Sequence, residues 1–196
     1  MIKKMMCGLA LMGSALSSQA AVQGFDWTYT GFLPSYSSEN SPAPSYRPFD
    51  PNNVLQGRFY AEDLDNNGTF SRAEVTSFTI GGESFMGCAG VRRCDLFDLS
   101  YTPGSPLQFD AYDSTVFGVW GSGSWETTTN SYLAGKSFYA VYEREWSPVG
   151  GVIYRYKFTP ETKFAISPVP EPQTWLMLGA GIALLGAVKR RRSHKA

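Results

Sequence analysis

Residues 151–158 carry the clearest alternation in the chain. Val152, Tyr154, Tyr156 and Phe158 fall on one side of an extended strand, Arg155 and Lys157 on the other. Phe25, Trp27 and Tyr29 alternate with Asp26 and Thr28 in the same way. A repeat of two scatters apolar residues around a helix but gathers them on one face of a strand, so both stretches read as strands. Further strand candidates are 54–61, 96–101, 107–111, 116–120 and 137–142, with 97–101 read as buried sheet. Turn signals separate them: Asn66-Asn67-Gly68, Gly81-Gly82, Pro103-Gly104, Gly121-Ser122-Gly123 and Pro148-Val149-Gly150-Gly151. Residues 34–53 carry Pro34, Pro42, Pro44, Pro48 and Pro51 among Ser and Asn and read as a loop. A short helix can follow Ser71. With 15% aromatic residues, 20 Gly and 12 Pro, the pattern predicts a mainly β domain, an antiparallel β-sandwich or barrel.

Charge divides the chain into three parts. The total of 17 Lys+Arg against 17 Asp+Glu conceals ten cations and sixteen anions in residues 21–168, so the body is acidic and offers no basic surface to nucleic acid. The one His, His194, sits in a charged tail, which argues against Ser-His-Asp catalysis and His-rich zinc sites.

Residues 1–20 read as an export signal: Lys3 and Lys4, an apolar run over 5–16, then Ser18-Gln19-Ala20 with small residues where signal peptidase cuts. Cleavage is expected after Ala20. The other reading, a retained membrane helix, is disfavoured by a run shorter than the ~20 residues a span needs. Cys7 has no lipidation context. The predicted domains are therefore a signal peptide at 1–20, an exported β-rich domain at 21–168 and a C-terminal segment at 169–196.

In that last segment Val169-Pro170-Glu171-Pro172 is followed by an uncharged run over 175–188 and by Lys189-Arg190-Arg191-Arg192. The physical reading is an extended Pro-x-Pro stretch, a transmembrane helix over about 174–189 and a cytoplasmic basic stop. Fourteen residues at 1.5 Å rise cover about 21 Å of a ~30 Å core, so Thr174 and the stem of Lys189 must extend the span. Gly179, Gly181 and Gly186 thin one face of that helix for docking against another.

The three-part tail resembles the PEP-CTERM sorting domain of Gram-negative bacteria, carried here by Val169, Pro170, Glu171, Pro172, Arg190, Arg191 and Arg192. That resemblance implies exosortase, a membrane cysteine protease or transpeptidase, as partner, with processing around Pro170-Glu171-Pro172. It implies transit through the inner membrane, then the cell surface, in a setting of exopolysaccharide and biofilm matrix. A simple single-span anchor is the alternative. The expected role is an exported, non-enzymatic surface or matrix protein; the rival is a carbohydrate-binding, lectin-like module, and a small hydrolase comes third.

Residues 63–74 fit a twelve-residue calcium loop. Asp63, Asp65 and Asn67 supply oxygens at positions 1, 3 and 5, and Gly68 stands at the turn. Thr69 offers its carbonyl at 7, Ser71 acts through water at 9, and Glu74 is bidentate at 12. The stretch resembles an EF-hand loop but departs from it in its flanks, since 56–60 reads as strand where a helix should enter. Bound Ca2+, in a structural role, is the expected cofactor; a plain Asp/Asn-rich turn is the alternative.

Cys88 and Cys94 are the two cysteines beyond the signal. In an exported chain they predict a small-loop disulfide worth roughly 2 kcal/mol. Glu143 and Glu145 share a strand face and could form a glycosidase acid pair, though solvated carboxylates are commoner. Trp120, Trp125 and Trp146 could stack on sugars or fill a half-buried core. Arg92-Arg93 reads as a solvated loop.

Overall fold

The structure, a computed structural model, describes residues 21–38, 40–118, 126–144 and 151–170. Its first strand, β1 (Gln23–Ser38), is sixteen residues long and serves two sheets. The first half pairs with β3 (Asp50–Ala61) on one side and β12 (Lys163–Val169) on the other. The second half pairs with β11 (Val152–Lys157) and with β2 (Ser41–Tyr46). The change of partners falls where the register slips between Thr30 and Phe32, around Gly31 at φ +86°. A bulge there bends the strand, and the bend turns one sheet into two facing layers.

One layer continues from β3 to β5 (Val75–Ile80) and β6 (Glu83–Ser84). The other runs from β11 through β10 (Ser137–Arg144), β9 (Glu126–Leu133), β8 (Gln108–Phe117) and β7 (Arg92–Tyr101) to β4 (Phe70–Ser71). All the pairings are antiparallel. The path ends at β4 and β6, while β4 and β5 are joined by a single 3-10 turn, Arg72–Glu74. The sheet thus curls into a half-barrel, in agreement with the mainly antiparallel β fold that the alternation predicts.

The alternating aromatics fill the space between the layers. Trp27, 1% exposed, stacks on Phe78 of β5 at 5.8 Å and meets Phe109 of β8 at 5.0 Å. Phe25 packs on Phe59 of β3 and on Tyr101 of β7. The Tyr29 hydroxyl donates to the Leu107 carbonyl, and its ring meets Phe158 and Phe164. Each ring contact adds a fraction of a kcal/mol to about 1.5 kcal/mol beyond the area it buries, and here they weld the two layers together.

Several local expectations need correction. Residues 34–53 are mostly strand: β1 runs through Pro34 to Ser38, and β2 contains Pro42 and Pro44. β2 is exposed along its whole length and pairs with β1 alone, so the missing proline N–H groups break no second ladder. The predicted strands 107–111 and 116–120 meet in the one strand β8, which ends at Phe117, and residues 119–120 lie outside the described residues. β2, β4, β5, β6, β9 and β12 are additional strands. Phe97 is not buried: it is 59% exposed, because the register shifts between Leu96 and Asp98 and the bulge turns Phe97 and Asp98 both outward. The 3-10 turn is the short helix expected after Ser71.

Among the described residues no helix is long and apolar enough to cross a membrane. The predicted signal at 1–20 and span at 174–189 lie outside the described residues, as do Trp120, Trp125, Glu145 and Trp146.

Candidate functional site

The candidate calcium loop leaves β3 after Ala61 and returns at β5. Its base is clamped where Ala61 pairs with Val75 and the Glu62 N–H donates to the Glu74 carbonyl at 3.1 Å. In between, the chain crosses to the opposite layer. Phe70 and Ser71 pair with Tyr101 and Ser100 of β7, and the Thr69 hydroxyl meets that of Thr102 at 2.9 Å. The Arg72 Nε donates to the Leu96 carbonyl at 2.6 Å. The loop therefore sits on the seam that closes one end of the half-barrel, a position its sequence does not announce.

Its turn is pinned by its own side chains. Asn66 and Gly68 are left-handed, at φ 56° and 75°. Asp63 accepts the N–H groups of Asn67 and Gly68, each at 3.0 Å, and Asp65 accepts the Asn67 N–H at 3.1 Å and its side-chain amide at 2.7 Å. The Asn67 side-chain Oδ1 accepts the Thr69 N–H at 2.6 Å. Oxygens of Asp63, Asp65 and Glu74 lie within 4.8 Å of one another. Three like charges so close repel, and the backbone N–H groups aimed at them offset part of that.

Glu74 is buried. The Ser71 N–H and hydroxyl both donate to its Oε2 at 2.8 Å, and the Leu64 N–H donates to Oε1 at 2.9 Å. These bonds, the Ser71 N–H first, hold its carboxyl below the usual carboxylate range. Asp63 and Asp65 each accept two of the roughly four hydrogen bonds a carboxylate can take, so both keep lone pairs for a cation. Of the six residues read as ligands, the structure thus gathers Asp63, Asp65, Asn67 and Glu74 around one turn. Ser71 leans on Glu74 instead of standing apart, and Thr69 bonds through its N–H and hydroxyl.

Cys88 and Cys94 form the expected disulfide, with Cα atoms 5.7 Å apart. Arg92 is not a solvated loop residue. It opens β7 on the inner face, its Nε 3.1 Å from Asp113 Oδ2 and its Nη1 2.7 Å from the Ser84 carbonyl, with the guanidinium over the Phe85 ring. The Arg92 and Asp113 side chains are 18% and 10% exposed. Asp113, a strand away in β8, supplies the partner that a reading of local sequence could not foresee. Glu143 lies on β10 opposite Thr127.

Strand β12 carries the chain into the tail. Pro168 pairs with Phe25 and Val169 with Gly24, so Pro170 follows the last sheet residue directly. Residues 168–192 match the family model of the PEP-CTERM protein-sorting motif. The chain carries a PEP-CTERM sorting motif. No curated protein and no solved structure matches the chain. The PEP-CTERM motif implies export, transit at the membrane and processing by exosortase, with the surface as destination. The match begins two residues inside β12, so the PEP-CTERM tail grows from an edge strand of the fold with no spacer between them.

Proposed function

We propose that this protein is an exported, non-enzymatic component of the cell surface or extracellular matrix, sorted by exosortase and placed among exopolysaccharide. The observation that carries the reading is the PEP-CTERM match over 168–192 on the end of an intact β domain. Three features support it. The Cys88–Cys94 bridge suits an oxidising compartment. The tightly packed aromatic half-barrel suits a scaffold exposed outside the cell. The composition, with His194 as its one histidine, favours no catalytic role.

The loop at 63–74 holds a structural calcium ion in this reading. Asp63, Asp65, Asn67 and Glu74 give the side-chain oxygens, Thr69 its carbonyl, and Ser71 a water-mediated contact. The geometry in favour is the carboxylate cluster with lone pairs left over, set on the seam between layers. An ion there would cancel the repulsion and lock β4 against β7. The calcium concentration outside a cell suits a lone loop of this kind, since extracellular modules bind at about 10⁻⁴–10⁻³ M.

The test of the sorting role replaces Pro170, Glu171 and Pro172 together by alanine in a host with exosortase. The variant should be exported yet remain full-length in the inner-membrane fraction, while the wild type reaches the surface. Normal processing and surface display of the variant would overturn the reading.

A further inference from the structure

Strand β12 is held unevenly along its length. It starts from a firm anchor, where the Thr162 hydroxyl donates to the Gly31 carbonyl at 2.7 Å and Thr162 closes a turn with Thr159. Phe164 and Ile166 then pack against the core, the Phe164 ring 4.8 Å from that of Tyr29. The last three residues have no such hold. Ser167 and Pro168 are exposed, and Pro168 has no N–H to give to a ladder. Val169 pairs with Gly24, which offers it no side chain to pack on. The apolar surface that β12 buries therefore lies mostly before Ser167, and fraying from the far end stops at Ile166.

Among the described residues β12 has β1 as its one strand partner, so its outer edge is open. The PEP-CTERM match begins at Pro168, inside the paired stretch, and Pro170 is the first residue past the sheet. With a membrane span expected from about 174, four residues, ~13 Å of extended chain, lie between the sheet and the lipid. An enzyme that works at the membrane on Pro170-Glu171-Pro172 has to surround an extended peptide on both sides of its target. While residues 167–169 stay on β1, the sheet fills one side of that space. A strand laid along the open edge of β12 is no substitute, because that edge presents Pro168 beside the motif. Drawing residues 167–169 off β1 frees ~10 Å of chain and stops at Ile166, so the domain stays folded.

We propose that Ser167, Pro168 and Val169 are a releasable end of β12, which exosortase draws off Gly24, Phe25 and Asp26 of β1 before it acts at the motif. This release step rests on the exosortase reading above and deepens it, by naming the residues of the folded domain that the enzyme takes hold of.

The test pins the strand at two places. Asp26 and Ser167 are register partners on the outer face, and so are Thr28 and Ala165, one step nearer the anchor. Antiparallel pairs two residues apart are of the same kind, with Cα atoms about 4.5–5.5 Å apart, within reach of a disulfide. Asp26→Cys with Ser167→Cys pins the releasable end and gives up only an exposed ion pair with Arg58. Thr28→Cys with Ala165→Cys pins the anchored part. Each full chain is made first without exosortase, and its bridge is verified by peptide mass. Exosortase is then induced, and loss of a C-terminal epitope is followed.

The chain bridged at 26 and 167 should be processed at least about tenfold more slowly than wild type, because its competent fraction is removed. The chain bridged at 28 and 165 should keep the wild-type rate. A spacer of about eight Gly/Ser residues, with a reach of ~15 Å, should restore processing of the 26–167 bridged chain. It is inserted after Val169 and ends in a copy of Ser167-Pro168-Val169, so the motif keeps its neighbours. A wild-type rate with the 26–167 bridge, equal slowing by both bridges, or no rescue by the spacer overturns the proposal. Where 26 and 167 fail to bridge, the spacer in the otherwise unaltered chain decides: processing faster than wild type supports the release step, and an unchanged rate overturns it. A wild type that is not processed at all refutes the sorting role and this step with it. A processed wild type that is indifferent to the 26–167 bridge refutes the releasable end alone.

Discussion

Gly57 of β3 lies directly beneath the indole of Trp27. A Cβ at Gly57 would sit 2.5 Å from Trp27 Cζ2 and 1.9 Å from the Thr79 carbonyl oxygen. The two residues are register partners across β1 and β3, so the absent side chain of one is the space that the ring of the other occupies. Trp27 Nε1 is buried and has no hydrogen-bond partner among the described residues, whose packing holds the ring.

Gly57→Ala should therefore be among the most damaging single substitutions in the domain. Overpacking costs about 1–3 kcal/mol where side chains can move. Here the Thr79 contact is backbone, so the β3–β5 ladder must shift as well, and a loss of at least ~3 kcal/mol is expected. Urea denaturation reads it as a lower midpoint; an unchanged midpoint would show that the sheet opens at no cost.

Arg92 and Asp113 form an ion pair that is mostly out of water, and Arg92 Nη2 and Asp113 Oδ1 are buried with no partner among the described residues. Removing one member strands the other charge. Arg92→Met or Asp113→Leu alone should each destabilise by about 3 kcal/mol, the low end for one-sided loss of a buried pair. The double substitution should cost clearly less than the two singles together. Strict additivity in that cycle would show that the pair does not interact.

If the loop at 63–74 holds calcium, the metal should raise the melting temperature of the wild-type chain. Linkage gives about 2.7 kcal/mol at a hundredfold excess over Kd. Asp63→Ala and Asp65→Ala should abolish the gain and leave the chelator-treated melting temperature nearly as it is. Glu74→Ala should also lower stability without calcium, because the Leu64 and Ser71 N–H groups lose their acceptor. Superimposable melting curves in millimolar calcium and in chelator would reduce the loop to a plain turn.

Glu74 and the tyrosines Tyr29, Tyr101 and Tyr132, whose hydroxyls burial pushes up, bear on the pH limits of stability. The Glu74 carboxyl is held low in the fold, so its contribution is present above about pH 4.5 and is lost as pH falls through the folded value, where the native state must at last take up the proton. Tyr132 is the reverse case. Its contribution is complete below pH 10 and declines between about 10 and 12, because the unfolded tyrosine releases its proton first. Glu74→Gln should flatten the acid limb of a urea-midpoint profile and Tyr132→Phe should shallow the alkaline limb. A limb of unaltered slope in either variant contradicts the assignment.

Elements whose pattern was local and strong could be read before any coordinates. β11 and the first half of β1 declare themselves by alternation, and the loop at 63–74 by its spacing of oxygens. Weaker patterns carry a signal too: Thr127, Thr128 and Thr129 are β-branched, as strand β9 favours, and Phe164 and Ile166 alternate with Lys163, Ala165 and Ser167 in β12. Prolines misled in β2, where an exposed edge tolerates what an inner strand would not. Phe97 misled because a bulge shifts the inward face by one residue, and a bulge is decided by the partner strand.

The sequence by itself determined the fold class, the disulfide, the turn chemistry of residues 63–74 and the sorting tail, because each depends on residues near one another in the chain. The tertiary structure alone decided that the loop bridges the two layers, that Arg92 meets Asp113, and that β12 delivers the tail straight from the sheet. Those relations join residues as far apart in the chain as Gly24 and Val169. They follow from strand register and from the bend at Gly31, which are set by how the whole set of aromatic side chains packs at once and not by any local run of residues.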